Sequence, residues 1–480
     1  MTATRPLERF DIAAGQLVER VIVDHHRRRL TRLGHRSSLD PPAGGWAEAA
    51  TPPRPGNAVD LHVDGAEMLP RLTEAVEGAR TSVWLAGLFF TPGLRLSHER
   101  LLTLRELLAT AAQRVDVRVL AWAGAPLPLF HPDRKEVREM RDELTRGTRI
   151  RVALDSRERP MHCHHEKVAV IDGEVAFVGG IDLTTYAGDR LDSSEHPARG
   201  SIGWHDAAVS IRGPAVADVA AHFGLRWAEV TGEVLPTVPA PTPVGAVELQ
   251  VVRTVPERIY DRLPIGEFGI LESYLRGLRA AQRLIYLENQ FLWSPEIVSV
   301  LVEKLRRPPD DRFRLVVLLP AKPNNGSDDT RGQLGLLVEA DGGAGRFLAC
   351  TLYQSGDGPK PVYIHAKIGI VDDTWFTVGS ANLNAHSLFN DTEMNVVSLD
   401  PGLARDTRLR LWAEHLEATP DEVSGDPAKL VDERWRPIAE EQLDRLENDE
   451  PLTHRLVMLP GVSRRRRRIL GPMQSRLYDM

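Results

Sequence analysis

The chain has 480 residues, of which 42% are hydrophobic and 26% charged, and its formal net charge is −7. This composition predicts a globular protein with an ample core, and the acidic balance argues against a groove for nucleic acid. Two cysteines cannot form a disulfide framework, and no run approaches the roughly 18 apolar residues of a membrane span. We therefore expect a cytoplasmic protein without a signal peptide or transmembrane helix.

The two ends of the chain are basic. The N-terminal segment, 1–57, contains HHRRRLTRLGHR at 25–36 and ends in a Pro-rich stretch. Such a cluster could rest on anionic lipid headgroups, but we interpret it as a solvated tail and helix face. The C-terminal segment, 441–480, carries a run of arginines at 464–468, for which the two interpretations are equally supported.

Two segments of similar pattern lie between these ends, at 58–235 and 248–440, and a Pro-rich linker at 236–247 separates them. In each segment apolar strands alternate with helical stretches, as in RTSVWLAG and LLTLRELLATAAQ of the first. Such alternation is typical of α/β layers. We predict an α/β protein of two duplicated α-β-α sandwich halves, packed as a pseudo-twofold bilobal unit.

The pattern His-x-Lys-x-x-x-x-Asp occurs once in each half, at an offset of 200 residues. The first copy is His165, Lys167 and Asp172 in HHEKVAVID, and the second is His365, Lys367 and Asp372 in IHAKIGIVD. The match continues downstream as Gly179, Gly180 and Asp182 in the first half, and as Gly379, Ser380 and Asn382 in the second. Two copies with matching tails predict one active site built from two equivalent halves.

The lysines of the repeat are informative because only seven of the 60 basic Lys and Arg residues are Lys. A compact ammonium beside an anion explains this choice better than a planar guanidinium does. Alternation in VYIHAKIGIVD predicts a strand over 362–370, with His365 and Lys367 on one face. Asp172 and Asp372 complete the catalytic motif, but they fall in turn-like sequence, and we assign them structural roles.

Two histidines and two lysines that converge suit the displacement of a phosphodiester. The ammonium groups would stabilise charge on the phosphoryl oxygens, while one imidazole attacks and the other protonates the leaving oxygen. This chemistry needs no metal and no other cofactor. Metal binding by His162, Cys163, His164 and His165 is the alternative, but neighbouring residues of a strand point to opposite faces and the second copy has only His365 nearby.

With these residues in view, the chain resembles the phospholipase D superfamily over about residues 58–440. Further likeness to its eukaryotic-type members lies in several short segments: AFVGGIDL, His196 with Pro197, Trp204-His205-Asp206, AHFGLRW, IYLENQF and RLWAEHL. The resemblance implies that His165 is the nucleophile and His365 the general acid and base. It implies that Lys167, Lys367, Asn382 and Asp182 bind phosphoryl oxygens, and that Asp206 and Glu393 orient the histidines. Gly180 and Ser380 would bring backbone close to the anion.

The first half departs from the family pattern in two places. Asp182 replaces the Asn common in bacterial members, and Ala187 stands where the repeat would place a partner of Ser387. The polar lining contributed by the first half is therefore predicted less firmly than that of the second.

The resemblance implies a phospholipase D that hydrolyses glycerophospholipids at a membrane surface through a phosphohistidine, with water or an alcohol as acceptor. The alternatives are a phosphatidyltransferase of the cardiolipin-synthase kind and, further away, a phosphodiester nuclease. Nuclease members usually carry one motif per chain and dimerise, whereas this chain has both motifs. We expect a monomer with one pseudo-twofold site, a phospholipid substrate, no nucleic-acid partner and no obligatory calcium.

Overall fold

The computed structural model describes residues 6–48, 51–97, 100–127, 131–185, 203–322, 327–354 and 358–459. His196, Pro197, Ala187 and the arginine run at 464–468 lie outside these residues. In the described ranges, no helix combines the length and the apolar character that crossing a bilayer requires.

The first half forms one sheet of seven strands. Its elements follow the N-terminal helix α1 (Pro6–Leu33) and are β1 (Arg54–Val63), α2 (Asp64–Gly78), β2 (Ser82–Gly87), α3 (Leu104–Ala111), β3 (Asp116–Trp122), α4 (Arg134–Thr145), β4 (Arg151–Asp155), β5 (Lys167–Ile171), β6 (Val175–Gly179), β7 (Gly203–His205), β8 (Ala207–Arg212) and α5 (Val216–Thr231). The strand order is β1-β8-β6-β5-β2-β3-β4, in which β2, β3 and β4 are parallel and the other pairs antiparallel.

The second half repeats this topology strand for strand. Its elements are β9 (Val247–Val255), β10 (Glu267–Phe268), α6 (Gly269–Ala280), β11 (Leu284–Glu288), α7 (Pro295–Arg306), β12 (Arg314–Leu318), α8 (Ser327–Asp341), β13 (Phe347–Tyr353), β14 (Pro361–Ile364), β15 (Ile368–Val371), β16 (Trp375–Gly379), β17 (Glu393–Ser398), α9 (Pro401–His415), α10 (Pro427–Leu430), α11 (Arg436–Glu447) and β18 (Leu456–Met458). The order β9-β17-β16-β15-β11-β12-β13 has the same parallel and antiparallel pairs as the first sheet.

Each sheet is covered by helices on both faces because its strands are apolar on both faces. On β2, Val83 and Leu85 pack with residues of α2 and α3, whereas the alternate Trp84 and Ala86 pack with α5. In the second half, one face of the sheet packs with α6 and α7 and the other with α9. The faces towards α5 and α9 belong to one continuous core, so the two halves share it. The predicted fold class, two α-β-α sandwiches, is confirmed.

The N-terminal basic cluster is exposed on one face of α1, where Arg27, Arg28 and Arg32 lie in solvent as predicted, but its other face is buried, and for that face the prediction was wrong. Leu30 is fully buried against the second half, and Arg29 is buried with an ion pair of 2.6 Å to Glu257. His26 lies 2.7 Å from the buried carboxylate of Glu296. Acids of the second half thus balance basic residues of α1, which sequence alone could not indicate.

The C-terminal boundary also differs from the predicted one. The segment 441–480 was predicted to be a basic tail, yet β18 pairs antiparallel with β13 at the edge of the second sheet. The second half therefore continues beyond residue 440, at least to Met458.

Candidate active site

The two histidines of the repeat, called the motif histidines below, are each held by an acid from the opposite half. His165 Nδ1 lies 3.0 Å from Glu393 Oε1, and His365 Nδ1 lies 2.5 Å from Asp206 Oδ2. Because a carboxylate oxygen accepts, Nδ1 of each ring donates to its acid and Nε2 is left for other contacts. Each motif histidine therefore has one ring nitrogen oriented by an acid and one available for chemistry.

Backbone hydrogen bonds also hold each motif histidine against the opposite half. The amides of His165 and Glu166 both donate to the carbonyl of Thr392, the residue before Glu393, at 2.9 and 3.1 Å. In the equivalent place, the amides of His365 and Ala366 donate to the carbonyl of His205, before Asp206, at 2.7 and 3.1 Å. The chain leaves its own sheet at each histidine, so the continuous strand predicted over 362–370 is interrupted between β14 and β15.

The two repeat lysines are buried beside the motif histidines. Lys167 Nζ donates to the carbonyl of His165 at 2.7 Å, and Lys367 Nζ donates to that of His365. Lys167 also pairs with Asp182 Oδ2 at 3.3 Å, whereas the repeat places the neutral amide of Asn382 in the second half. Burial, reinforced by the charge of Lys167, lowers the pKa of Lys367 to about 8. The two lysines thus occupy equivalent positions of the repeat, but the charges around them differ.

His365 lies in a drier setting than His165. Its side chain is 8% exposed against 16% for His165, and the Trp204 ring packs against it with centroids 5.0 Å apart. Burial, together with the nearby charge of Lys367, lowers the pKa of His365 to about 4 although Asp206 opposes the shift. In the free protein at neutral pH, the His365 imidazole is therefore uncharged.

The two orienting acids are themselves held by neighbours. Glu393 accepts hydrogen bonds from Ser380 Oγ and, at 2.6 Å, from Ser387 Oγ. Asp206 accepts from the amide of Ala207 at 2.7 Å. A Cβ at Gly180 would overlap the Asp206 carboxylate. Gly180 and Ser380, expected beside the anion, thus lie against the acids that orient the histidines.

Asp172 and Asp372 lie at the opposite ends of their strands from the motif lysines. Asp172 accepts from the amides of Arg80, Thr81 and Ser82 at 2.8, 2.7 and 3.0 Å. Asp372 accepts from the amides of 282, 283 and 284 at 2.6, 2.8 and 2.7 Å. These contacts join neighbouring strands within each half, so they support a structural role for Asp172 and Asp372.

Sequence reasoning missed a buried charge network behind Asp206. Glu288 Oε2 lies 2.8 Å from His205 Nε2, and Glu288 Oε1 lies 3.0 Å from His415 Nε2. Tyr286 donates its hydroxyl to the same carboxylate at 2.5 Å. Burial disfavours ionisation of Glu288, but the two histidines outweigh it and hold its pKa far below the usual range. The network joins residues of three segments identified in the sequence: Trp204-His205-Asp206, IYLENQF and RLWAEHL. The indication of it in the sequence was a single Glu at the end of an apolar strand.

The first half has a counterpart network behind His165. Glu166 accepts from Arg226 and lies 2.8 Å from His222 Nε2. Arg226 also donates to Asp155 at 2.7 Å, and Asp155 lies 3.1 Å from His164 Nε2. Both motif histidines are thus backed by buried ionic networks, which hold the surrounding backbone in place.

The local metal cluster considered from the sequence does not assemble. His164 Nδ1 turns to Thr392 Oγ1 at 2.8 Å, His165 to Glu393, and His162 to Asp391 at 3.2 Å. Burial raises the pKa of the Cys163 thiol well above its usual value, so that sulfur is not a thiolate at neutral pH. The three histidines point to three different partners.

A cavity of about 370 Å³ reaches both motif histidines. Its lining includes Asp182 and Asn382 of the repeat, together with Trp122, His162, Gln290, Phe291, Trp293, His386, Ser387 and Asp391. Apolar and aromatic surface beside a few convergent polar groups is typical of a ligand site. The arrangement brings both imidazoles to one cavity, with the two ammonium groups bound to the carbonyls of the same histidines.

The chain is similar to known enzymes of one superfamily. A family model described as cardiolipin synthase, PLD-like domain, matches residues 274–412. Phospholipase D A of Dictyostelium discoideum is 25% identical over 77% of this chain and 36% of its own length. Cardiolipin synthase A of Pseudomonas aeruginosa strain PAO1 is 27% identical over 78% of this chain and 70% of its own length.

Solved structures also align with most of the chain. Phosphatidylserine synthase of Haemophilus influenzae aligns with 82% of this chain and 94% of its own, at 12% identity and a TM-score of 0.49. Among the phospholipases D that match, the chain spans between 34% and 66% of the relative's length. The family match covers residues 274–412 and the two relatives described first are 25% and 27% identical, so the chain is similar to members of the phospholipase D superfamily.

Proposed function

We propose that this protein is a phospholipase D, which hydrolyses the distal phosphodiester of glycerophospholipids to phosphatidic acid and a free headgroup. The observation that carries the proposal is the crossed pair of histidines, each oriented by an acid from the other half. Two buried lysines beside them supply the positive charge that a phosphodiester needs. Trp204-His205-Asp206 and the Glu288 network favour a eukaryotic-type member.

The proposed reaction has two displacements on phosphorus. His165 Nε2 attacks, the phosphorus–oxygen bond to the headgroup breaks, and His365 Nε2 gives its proton to the departing oxygen. Water or an alcohol then attacks the phosphohistidine, His365 takes the incoming proton, and the phosphorus–nitrogen bond breaks. Lys167 and Lys367 hold the equatorial oxygens in both steps. Atoms and charge balance without a metal.

The low pKa of His365 couples its protonation to substrate binding. With a pKa of about 4, His365 is neutral in the free protein at neutral pH and cannot act as an acid. A phosphodiester anion beside the two lysines offsets the positive charge that disfavours the imidazolium. We therefore expect the pKa of His365 to rise when an anion is bound, which inorganic phosphate and NMR titration of the His365 ring proton can measure.

A cardiolipin-synthase-like phosphatidyltransferase is the second candidate. It is favoured by the family match over residues 274–412 and by a relative aligned over 70% of its own length. The same two displacements would then end on the hydroxyl of a phosphatidylglycerol in place of water. The two candidates share the site and differ in the acceptor.

The test uses wild type, His165→Ala and His365→Ala on phosphatidylcholine micelles with EDTA and a little ethanol, and follows phosphatidic acid and phosphatidylethanol by mass spectrometry. We expect both products from wild type and neither from the variants. A parallel reaction on phosphatidylglycerol vesicles detects cardiolipin.

The outcomes separate the candidates. Cardiolipin without phosphatidic acid would favour the phosphatidyltransferase. Wild type inert on both lipids would contradict both candidates.

A further inference from the structure

Three side chains suited to bind a metal converge in the wall of the cavity that holds the motif histidines. His162 Nδ1 lies 3.1 Å from His386 Nδ1 and 3.2 Å from Asp391 Oδ1. The three ligand atoms all lie within 4.8 Å of one another. His162 comes from the first half, and His386 and Asp391 come from the second. The side chains of His162 and Asp391 are 2% and 9% exposed, so this is a built site and not a surface coincidence.

The two contacts of His162 Nδ1 compete for one ring nitrogen. If His162 Nδ1 carries a hydrogen, it can donate to Asp391, and His386 Nδ1 can then accept only a share of the same N–H. If His162 Nδ1 is bare, it can accept from His386, but its lone pair then faces a carboxylate oxygen at 3.2 Å. One proton serves both contacts only as a shared hydrogen bond. A cation that accepts a lone pair from each of the three atoms resolves the conflict.

We propose that His162, His386 and Asp391 form a binding site for one divalent transition-metal ion of the Zn²⁺ class. Two imidazoles and one carboxylate are ligands that zinc prefers, at about 2.0–2.2 Å each, which puts tetrahedral ligand atoms about 3.3 Å apart. The observed separations of 3.1 and 3.2 Å are close to this value, and the third pair of ligand atoms lies within 4.8 Å. Because all three residues line the cavity, a fourth ligand reaches the ion from that side.

The carboxylate is fixed in place before any ion binds. Asp391 Oδ1 accepts from the amide of Cys163 at 3.0 Å, and the Asp391 amide donates to the carbonyl of His386 at 2.8 Å. The site is separate from the motif histidines, whose Nδ1 atoms are taken by Glu393 and Asp206. A bound ion would tie the two halves together beside the cavity mouth, and the inference does not depend on the proposed reaction.

The experiment measures binding and not turnover. Full-length protein, stripped with EDTA and exchanged into a buffer that does not chelate, is titrated with Zn²⁺ by calorimetry and with Co²⁺ by visible absorption. We expect one ion per chain, the intense visible bands of four-coordinate Co²⁺, and a melting temperature that rises with Zn²⁺ concentration. His386→Gln should weaken binding by about tenfold or more and remove the rise.

Two controls locate the ion. His131→Gln changes another cavity histidine that pairs with an acid, Glu136 at 2.8 Å, and should bind as wild type does. His165→Gln should also retain binding, which separates the site from the motif histidines. If His386→Gln itself lowers the melting temperature, X-ray absorption of Zn²⁺-loaded wild type should still find two imidazole ligands.

Three results would overturn the inference. These are no binding of Zn²⁺ or Co²⁺ by wild type, equal binding by His386→Gln, and loss of binding in His165→Gln, which would move the ion to the motif histidines.

Discussion

At the scale of single residues, the two lysines show how a duplicated motif can hold two different charges. Lys167 faces the carboxylate of Asp182 at 3.3 Å, and Lys367 has the amide of Asn382 in the equivalent place of the repeat. At this position of the repeat the first half thus carries one carboxylate that the second half lacks. The two copies of the motif are therefore similar in sequence but differ in the charge beside the lysine.

Lys367 should set the alkaline limit of activity. Its pKa is lowered to about 8, so above that pH the free protein loses the ammonium that would hold a phosphoryl oxygen. We expect kcat/KM to fall about tenfold for each pH unit above 8, because kcat/KM reports the free enzyme. Lys367→Arg stays charged and should lose this limb, at a cost of about 100-fold in rate from the bulkier fork.

The matched control for this pH profile is Lys304→Arg. Lys304 donates to backbone carbonyls of 279 and 281 at 2.8 and 2.7 Å, and its replacement should leave the limb unchanged. A wild-type profile that stays flat to pH 10 would show that Lys367 is not the group that titrates.

Asp182→Asn should strengthen the binding of anions. The substitution removes a negative charge next to Lys167 and makes the first half match the second at this position. We expect inorganic phosphate to bind about tenfold more tightly, corresponding to about 1.4 kcal/mol, measured by calorimetry. Asp182→Glu keeps the charge and serves as the control. Weaker phosphate binding by Asp182→Asn would mean that Asp182 holds Lys167 in position and that its charge is not the limiting factor.

At the scale of elements, the strand ends opposite the motif lysines are fixed by Asp172 and Asp372. Asp172 occupies the left-handed region, with φ of 56°, which Asp tolerates better than most residues do. Its carboxylate serves three consecutive amides at the start of β2. The last position of the motif therefore stabilises the sheet that carries the histidine.

Asp172→Gly should lower stability without altering the chemistry. Glycine suits the positive φ, so the loss reports the carboxylate alone, and we expect about 2 kcal/mol in urea unfolding. Burial disfavours ionisation of Asp172, but hydrogen bonds led by the Ser82 amide outweigh it and lower its pKa. The contribution is therefore present above the unfolded pKa of about 3.9 and disappears as pH falls through the lower folded value.

The readouts for Asp172→Gly are the urea midpoint at neutral and acid pH and the kcat of the folded protein. Asp172→Asn, which keeps the side-chain shape, should lose less stability. A large fall in kcat with an unchanged midpoint would contradict the structural role.

The elements show where sequence reasoning ends. Period-two patterns and the repeat predict the sheets and the two histidine–lysine pairs, and the family resemblance implies the acids at Asp206 and Glu393. They do not reveal that each acid contacts the histidine of the other half, because that depends on how the halves dock. The burial of Arg29 could not be predicted either, since its partner Glu257 lies 228 residues away and no local pattern links them.

At the scale of the whole molecule, the two halves share one core and exchange ligands for the active site. The inner faces of both sheets form a continuous apolar cluster, and β7 of the first half pairs in parallel with β14 of the second. Neither half has a complete site without the other. We therefore expect the described part of the chain to unfold in a single cooperative transition.

Glu288→Gln tests this coupling between the halves. Glu288 of the second half binds His205 of the first and His415 of the second, all with fully buried side chains. Removing one partner of a buried ionic network costs about 3–5 kcal/mol, because the remaining charge stays unpaired. Burial opposes the charge of His205, but Glu288 outweighs it and raises the pKa of His205 well above the usual value. Its contribution is therefore present below pH about 6.5 and is lost only at higher pH.

Urea unfolding of wild type and Glu288→Gln at pH 5 and pH 9 measures this effect. The loss of stability of Glu288→Gln relative to wild type should be larger at pH 5. At that pH His205 is charged in both the folded and the unfolded chain, but only in the folded chain is this charge buried and balanced by Glu288. Glu422→Gln, which changes an exposed acid that accepts from the Thr419 amide, is the control and should unfold like wild type at both pH values. Because Asp206 follows His205 directly, loosening this network should also release His365. A Glu288→Gln variant that unfolds in two separate steps would mean that this one network, and not the shared core, joins the halves.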